Sequence, residues 1–326
     1  MIEILSAPNA VVQDRGRDGY YGDGIGRAGA MDTLSLALGN ALLGNDEDAA
    51  GIEIALFPFK IRFDADTTFS VCGADCETRL NGRLLPPDWA TTAKAGQVLV
   101  LSPPKIGCRA YLCLQGGVDV PLVLGSRSTQ LREAFGGFEG RMLEKGDRLG
   151  WIGSDVALPA AGLGVDSSDG GRSNAYDGNI TVGVIPAAEY DDFSAASQGT
   201  FWNSPWKVTN QSNRTGYRLD GPEIELARRS ELRSHGIVPG VVQVPAGGGP
   251  IIQLAGAATM GGYPKIATIV EADLWKMGQA SPGDFIRFTR ANYKDAVASL
   301  KELNAFIQRV RLMSRFQHQA SKAWAI

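Results

Sequence analysis

The chain reads as a mainly β protein: two β-barrel units in tandem, with a few short helices and one C-terminal helix. Three observations predict this. Short apolar runs such as Val241–Val244, Ile251–Leu254, Ile266–Val270 and Phe285–Phe288 alternate with Gly/Pro clusters, the mark of brief strands joined by tight turns. Asn81-Gly82 sits between two strand-like runs and is a strong hairpin cue. The two halves also close on similar wording, LEKGDRLGW at 143–151 and ASPGDFIRF at 280–288, while QGGVDVPLVLG at 115–125 loosely parallels MGGYPKIATIV at 260–270. We read these parallels as an internal duplication.

Taken in order, the elements are locally motivated. Glu3–Asp14 alternates as a first strand, followed by a Gly- and Arg-rich loop, DRGRDGYYGDGIGRAG, from Asp14 to Gly29. That loop holds a literal G-x-G-x-x-G at Gly24, Gly26 and Gly29. The residues before it, RDGYYGD, are not an apolar strand, so the dinucleotide-binding reading is rejected. A helix follows, with Asp32 as N-cap, Leu34, Leu38, Ala41 and Leu42 on one apolar face, and Gly44 as its stop. From Gly51 to Trp151 the runs are strand-like, which places the first unit at residues 1–153. Residues 154–179 are rich in Ala, Gly, Ser and Asp and are expected to form a linker or exposed loop. The second unit is expected at 180–326. Its last part, from Asn292, has helical spacing through Tyr293, Ala296, Val297, Leu300, Leu303, Ile307 and Val310, with Asn292 as cap and a frayed end from Gln317.

Composition narrows the function classes. With 326 residues, 44% apolar and 21% charged, a net charge of −3 and no Lys/Arg run, the chain lacks the basic face that nucleic acid or an anionic membrane selects. No basic segment leads into a long apolar stretch at the N-terminus, so a cytoplasmic location is expected. The four cysteines lie as two pairs, Cys72 with Cys76 and Cys108 with Cys113, inside apolar runs, and read as buried free thiols rather than zinc ligands. Only His235 and His318 are histidines, which excludes a three-histidine metal centre within the chain. Walker, G-x-S-x-G and H-E-x-x-H patterns are absent from the sequence, so any ATP would be bound by another chain.

Polar groups concentrate on turns of the second half. His235, Gln243, Thr259, Tyr263 and Lys265 stand beside glycines that admit a ligand to the backbone. Arg214 lies on the turn NQSNRTGY, and Arg15 and Arg17 on the N-terminal loop. Opening a lactam, or moving a carboxyl group to an amide nitrogen, needs donors for a developing oxyanion and a base for a proton. Arg15 or Arg17, Arg214, Gln243, Thr259, Tyr263 and Lys265 supply the donors, and Asp14 or His235 the base. Each has an ordinary alternative: Arg15 and Arg17 can pair with nearby aspartates, and Tyr263 before Pro264 can be a packed turn residue.

The blocks Gln13–Asn45, Asn210–Pro222, HGIVPGVVQVP at 235–245 and GGYPKIATIVEADLWKMGQASPGDFIRF at 261–288 resemble the biotin-dependent carboxyltransferase A/B family. That family takes in allophanate hydrolase subunit 2-like proteins, the C-type component of 5-oxoprolinase and the matching half of the urea carboxylase carboxyltransferase domain. The resemblance spans nearly the whole chain, with the blocks in order. It implies two cyclophilin-like β-barrel subdomains, a fold that carries no prolyl isomerase activity by itself. It further implies a subunit of an amide- or lactam-processing enzyme acting on a small nitrogen-containing substrate. The implied partner is a C/D-type carboxyltransferase subunit (allophanate hydrolase subunit 1-like), with a lamB-type subunit as a further one. No cofactor is bound covalently, since the chain has no Met-Lys-Met biotinyl site; ATP or carboxybiotin would come from the partners. On this resemblance His235, Lys265 and Asp14 are the catalytic candidates. Arg15, Arg17, Arg214, Gln243, Thr259 and Tyr263 are the substrate-binding ones.

One turn departs from the family pattern. Relatives commonly carry an Asp and a Gln-Thr-Thr before Gly-Gly-Tyr-Pro, where this chain has Gly256, Ala258 and Met260. Groups able to hydrogen-bond by side chain are thereby replaced by groups that cannot. A non-catalytic regulatory or binding subunit, like the kinase-inhibitor antagonist branch of the family, is the alternative this departure keeps open.

Overall fold

A computed structural model of the chain describes residues 1–166, 178–228 and 232–324. By internal contacts it divides into two units, the first comprising Met1–Arg17, Ala28–Ser173 and Asn304–Ile326, the second Asp18–Arg27 and Asn174–Leu303.

The first unit is built on an eleven-stranded, mainly antiparallel sheet. Its axis is the pair Thr67–Leu80 and Val98–Leu114, strands of 14 and 17 residues. The first part of Val98–Leu114 pairs with Phe59–Phe63 and its last part with Gly51–Leu56, so one strand serves two sections of sheet. Its register against Thr67–Leu80 shifts three times between Gly73 and Thr78. Such bulges bend a strand pair and turn its ends apart. Among the described residues the sheet runs in pairing order from Leu163–Gly164 to Val118–Asp119, with Gly51–Leu56, Asn9–Gln13 and Arg83–Leu84 paired off that path. Ile2, Ile4, Ile52, Phe59, Phe63, Phe69 and Leu112 are fully buried in its core. Of the linker expected at 154–179, Leu163–Gly164 adds an edge strand beside Trp89–Ala93, and 167–177 lie outside the described residues.

Helix α1 (Thr33–Leu42) starts as the sequence predicts. Asp32 caps it, accepting from Ser35 N at 2.9 Å and Ser35 Oγ at 2.5 Å. The entry to the helix is pinned to the sheet by a buried polar set. Met31 N and Tyr111 Oη both donate to Glu53 Oε2 at 2.7 Å, and Asp32 N donates to Tyr111 Oη at 2.7 Å.

The second unit contains a closed seven-stranded barrel. In pairing order its strands are Asn179–Pro186, Lys265–Ile269, Val241–Gln243, Ile251–Gln253, Gly216–Asp220, Trp206–Val208 and Phe285–Arg290. The last strand returns beside the first in parallel, with Ile180 opposite Ile286. Val182, Val184, Trp206, Val242, Ile252, Ile266 and Ile286 are fully buried in this unit. Helix α2 (Ala195–Asn203) packs Phe201 on the closing strand, its ring stacked on Phe288 at 4.5 Å between centroids. Helix α3 (Leu274–Gln279) follows the barrel strand Lys265–Ile269.

Helix α4 (Tyr293–Trp324) begins where the spacing predicts, with Asn292 Oδ1 accepting from Asp295 N at 2.9 Å. It continues through the segment expected to fray from Gln317. His318, expected in a polar tail, is buried and donates from Nε2 to the Leu42 carbonyl at 2.9 Å. Arg311 Nη1 donates to the Asn45 carbonyl at 2.5 Å. The Leu42 carbonyl at the C-terminal end of α1 and the Asn45 carbonyl just past it are thus met by donors of α4. That explains why residues from Asn304 onward group with the first unit, while the sequence boundary had put the whole helix with the second. The four cysteines are free, and burial pushes the thiols of Cys76 and Cys113 up to about 12. Among the described residues no helix is long and apolar enough to cross a membrane, which leaves membrane-spanning strands unaddressed.

Candidate functional site

The site candidates of the second unit gather at one end of the barrel strand Lys265–Ile269. Val242 faces Ala267 but the next residue, Gln243, faces Lys265, so Ile266 is an extra residue opposite that step. A bulge of this kind re-aims a side chain, here that of the strand's first residue, Lys265. Pro264 fixes the approach: its carbonyl accepts from Val244 N at 2.9 Å, and the carbonyl of Tyr263 accepts from Gln243 Nε2 at 3.3 Å. Gln243, only 2% exposed, also accepts from Gln253 Nε2 at 2.9 Å. Across it lies a short ribbon in which His235–Gly236 pairs with Met260–Gly261. A Cβ on Gly261 would come within 2.8 Å of Gln243 Nε2, so only glycine lets the ribbon lie this close without displacing that amide.

Lys265 Nζ stands between two partners. Glu189 Oε1 lies 3.3 Å away, and the Lys265 backbone N donates to Glu189 Oε2 at 3.2 Å. On its other side Nζ is hydrogen-bonded to His235 Nε2. His235 Nδ1 is 3.0 Å from the Arg233 carbonyl, which can only accept; Nδ1 therefore carries the ring proton and Nε2 presents its lone pair to Lys265. The Lys265 and Glu189 side chains are 15% and 13% exposed, which keeps the charges largely away from water without closing the site. An ammonium has three N–H donors. Two are engaged by Glu189 and His235, and the third can be offered to an oxyanion. His235 can accept a proton at Nε2 only by giving up Lys265.

Glu189 was not among the sequence candidates. It follows the strand Asn179–Pro186, 76 residues before Lys265, in an acidic AAEYDD run that carries no motif. The remaining candidates fall in several places. Thr259 is buried and its carbonyl accepts from Ile237 N at 3.0 Å, while Tyr263 is 52% exposed beside the ribbon. Arg214 belongs to the turn whose carbonyl accepts from Gly256 N at 2.9 Å. A Cβ at Gly256 would meet that Arg214 carbonyl at 3.2 Å, so the departing turn packs close against the Arg214–Thr215 backbone. A cleft of about 460 Å3, lined by Thr209, Asn210, Arg218, Asp220, Pro245 and Gly247 among others, includes neither Lys265, Glu189 nor His235.

Asp14, Arg15 and Arg17 lie in the first unit. Asp14 Oδ1 accepts from Gly16 N, Ser126 Oγ and Ser128 Oγ at 2.5–2.8 Å, and Oδ2 from Arg127 N at 2.5 Å. The base expected there is a buried hub that ties the N-terminal loop to residues 126–128. Arg15 is half exposed and pairs with Glu47 at 3.0 Å on the surface. Arg17 is buried, with Nη2 donating to the Ser128 carbonyl at 2.7 Å.

Set beside known proteins, this architecture defines a class. The family described as carboxyltransferase domain, subdomain A and B, matches residues 23–290, and the chain belongs to that family. Among its relatives is the C-type component of 5-oxoprolinase from Escherichia coli K12, 40% identical over 311 residues that cover 95% of this chain and 97% of that protein. The corresponding 5-oxoprolinase component of Haemophilus influenzae is 37% identical, with 95% and 98% covered. The urea amidolyase of Lachancea kluyveri is 34% identical over 91% of this chain but only 17% of its own length. The crystal structure of the Kluyveromyces lactis urea carboxylase is similar with a TM-score of 0.87 at 31% identity, covering 95% of this chain and 29% of that one.

Proposed function

We propose that the chain is the A/B-type subunit of a lactam-processing enzyme of the 5-oxoprolinase kind, working with a C/D-type partner. The observation that carries this reading is the end-to-end match with the C-type 5-oxoprolinase component of Escherichia coli, 95% of one chain on 97% of the other, set against the small fraction of urea amidolyase that is matched. The geometry supports the same reading. A lactam carbonyl placed against Lys265 Nζ would receive its free N–H, and the ammonium, held in place by Glu189, would stabilise the negative charge that develops on that oxygen as the ring opens. Glu189 positions the ammonium, and His235 fixes its direction from the other side. ATP, which drives such ring opening, is assigned to the partners because the chain has no phosphate-cradling motif; no step at Lys265 requires it to bind here.

The test is to co-express the chain with its C/D-type partner and a lamB-type subunit and to assay ATP-dependent hydrolysis of 5-oxoproline. Turnover that disappears when this chain is omitted supports the proposal. No turnover of 5-oxoproline by the intact complex overturns it.

The tight Gly256 turn favours a second reading, a regulatory or binding subunit without chemistry of its own. Alanine at Arg214 and Lys265 separates the two. Lost turnover with an intact complex supports the enzyme; retained function with lost partner binding supports the regulator.

A further inference from the structure

Glu189, which holds Lys265, is itself held through its neighbour in the chain. The carboxylate stands at the head of a single tight turn, Tyr190–Asp192. So short a turn has weak hydrogen bonds of its own and does not fix a side chain unaided. Tyr190 supplies the anchor. Its hydroxyl accepts from Trp202 Nε1 at 2.8 Å, and its backbone carbonyl accepts from Gln198 Nε2 at 3.1 Å, both donors projecting from α2. The Tyr190 and Trp202 rings are tilted by 50° with centroids 6.1 Å apart. The Arg290 guanidinium, at the end of the closing strand Phe285–Arg290, lies 5.8 Å from the Tyr190 ring and 5.7 Å from that of Trp202. A cation over aromatic faces at this range is attracted to them. Helix α2 and the closing strand therefore grip the residue next to Glu189, and all of these residues belong to the second unit.

We propose that Tyr190 is a positioning residue for the Lys265 ammonium: gripped by Trp202 and Arg290, it keeps Glu189 in place against the amine. Ring packing alone needs no hydroxyl at this position; the hydroxyl is used to receive the Trp202 N–H. The partners of Lys265 Nζ are Glu189 and His235, so the influence of Tyr190 on the amine passes through Glu189. A group that must meet a developing oxyanion is sensitive to displacements of about an ångström, which is why its supports matter. This role rests on Lys265 being the donor to the substrate carbonyl, yet it can be measured without substrate or partner.

The experiment is trace acylation of the full chain with acetic anhydride at fixed pH, with acetylated Lys265 counted by mass spectrometry against the exposed Lys301. The rate at Lys265 reads how firmly the amine is held. Tyr190→Phe keeps the ring and removes the acceptor, and should raise that rate about threefold, the order of one hydrogen bond's net contribution. In Glu189→Gln, which already loosens the amine, the added Tyr190→Phe should change nothing further, because effects that act through one contact do not add. In the assembled enzyme Tyr190→Phe should lower kcat about threefold with KM nearly unchanged. Equal labelling of Lys265 in wild type and Tyr190→Phe overturns the proposal. So does the same rise in the Glu189→Gln background as in wild type, since that marks a general loosening of the barrel end. Should Tyr190→Phe fail to fold, Trp202→Phe, which removes the donor of the same hydrogen bond, takes its place in the comparison. An assembled complex without turnover would count against the lactam reading, while the labelling pattern still decides whether Tyr190 holds Glu189.

Discussion

Lys265 and Glu189 are joined twice, side chain to side chain at 3.3 Å and backbone N to carboxylate at 3.2 Å. The double contact fixes the position of the ammonium, because a partner that holds the backbone cannot swing away when the side chain moves. Lys265→Met should therefore lower kcat of the assembled enzyme by about a hundred- to a thousandfold, the range seen when one oxyanion donor is removed. Circular dichroism of the variant should be unchanged.

Glu189→Gln tests the same contact from the other side. It keeps shape but removes the counter-charge, so kcat should fall about tenfold with KM nearly unchanged, a smaller loss than deleting the donor itself. Glu189→Asp, which restores charge at shorter reach, should recover part of the loss. Equal kcat in wild type and Glu189→Gln would show that the carboxylate has no positioning role.

His318 makes stability depend on pH. Burial holds its imidazole below the ordinary value of 6.5, more than the Leu42 carbonyl raises it. The unfolded chain thus binds a proton more readily than the folded one. The associated stability is complete above pH 6.5, declines as pH falls below it, and levels off beneath the folded-state value. Urea midpoints measured from about pH 8 to about pH 5 should fall in wild type and fall less in His318→Gln.

Tyr111 is a structural counterpart of the same kind. Its hydroxyl donates to Glu53 and accepts from Asp32 N inside a fully buried site, and burial keeps it protonated far above its ordinary range. Tyr111→Phe leaves Asp32 N without that acceptor and should cost about 1–3 kcal/mol in chemical unfolding.

Thiol reactivity gives a simple check on the first unit. Cys72, Cys76 and Cys113 are buried, and Cys108 is partly exposed. Ellman's reagent at about pH 8 should titrate one fast thiol in the native chain, lost in Cys108→Ser, with the others appearing only on denaturation.

Much of this protein was legible in its sequence because the rules involved act over a few residues. The Asp32 and Asn292 caps, the Asn81-Gly82 hairpin and the strand-and-turn rhythm of 234–288 depend on local backbone geometry, and each stands as read. The ordered blocks carried the family, with His235 and Lys265 in two separate ones. What only the tertiary structure decided involves partners far apart in the chain. Glu189 reaches Lys265 because the strands Asn179–Pro186 and Lys265–Ile269 become neighbours on closure of the barrel, and no short-range pattern marks that. Asp14 changed from candidate base to hub once Ser126 and Ser128 folded onto it, and His318 from tail residue to buried donor once α4 met the end of α1. Local propensity sets which residues form strands, turns and caps; closure and packing determine which side chains share a charge.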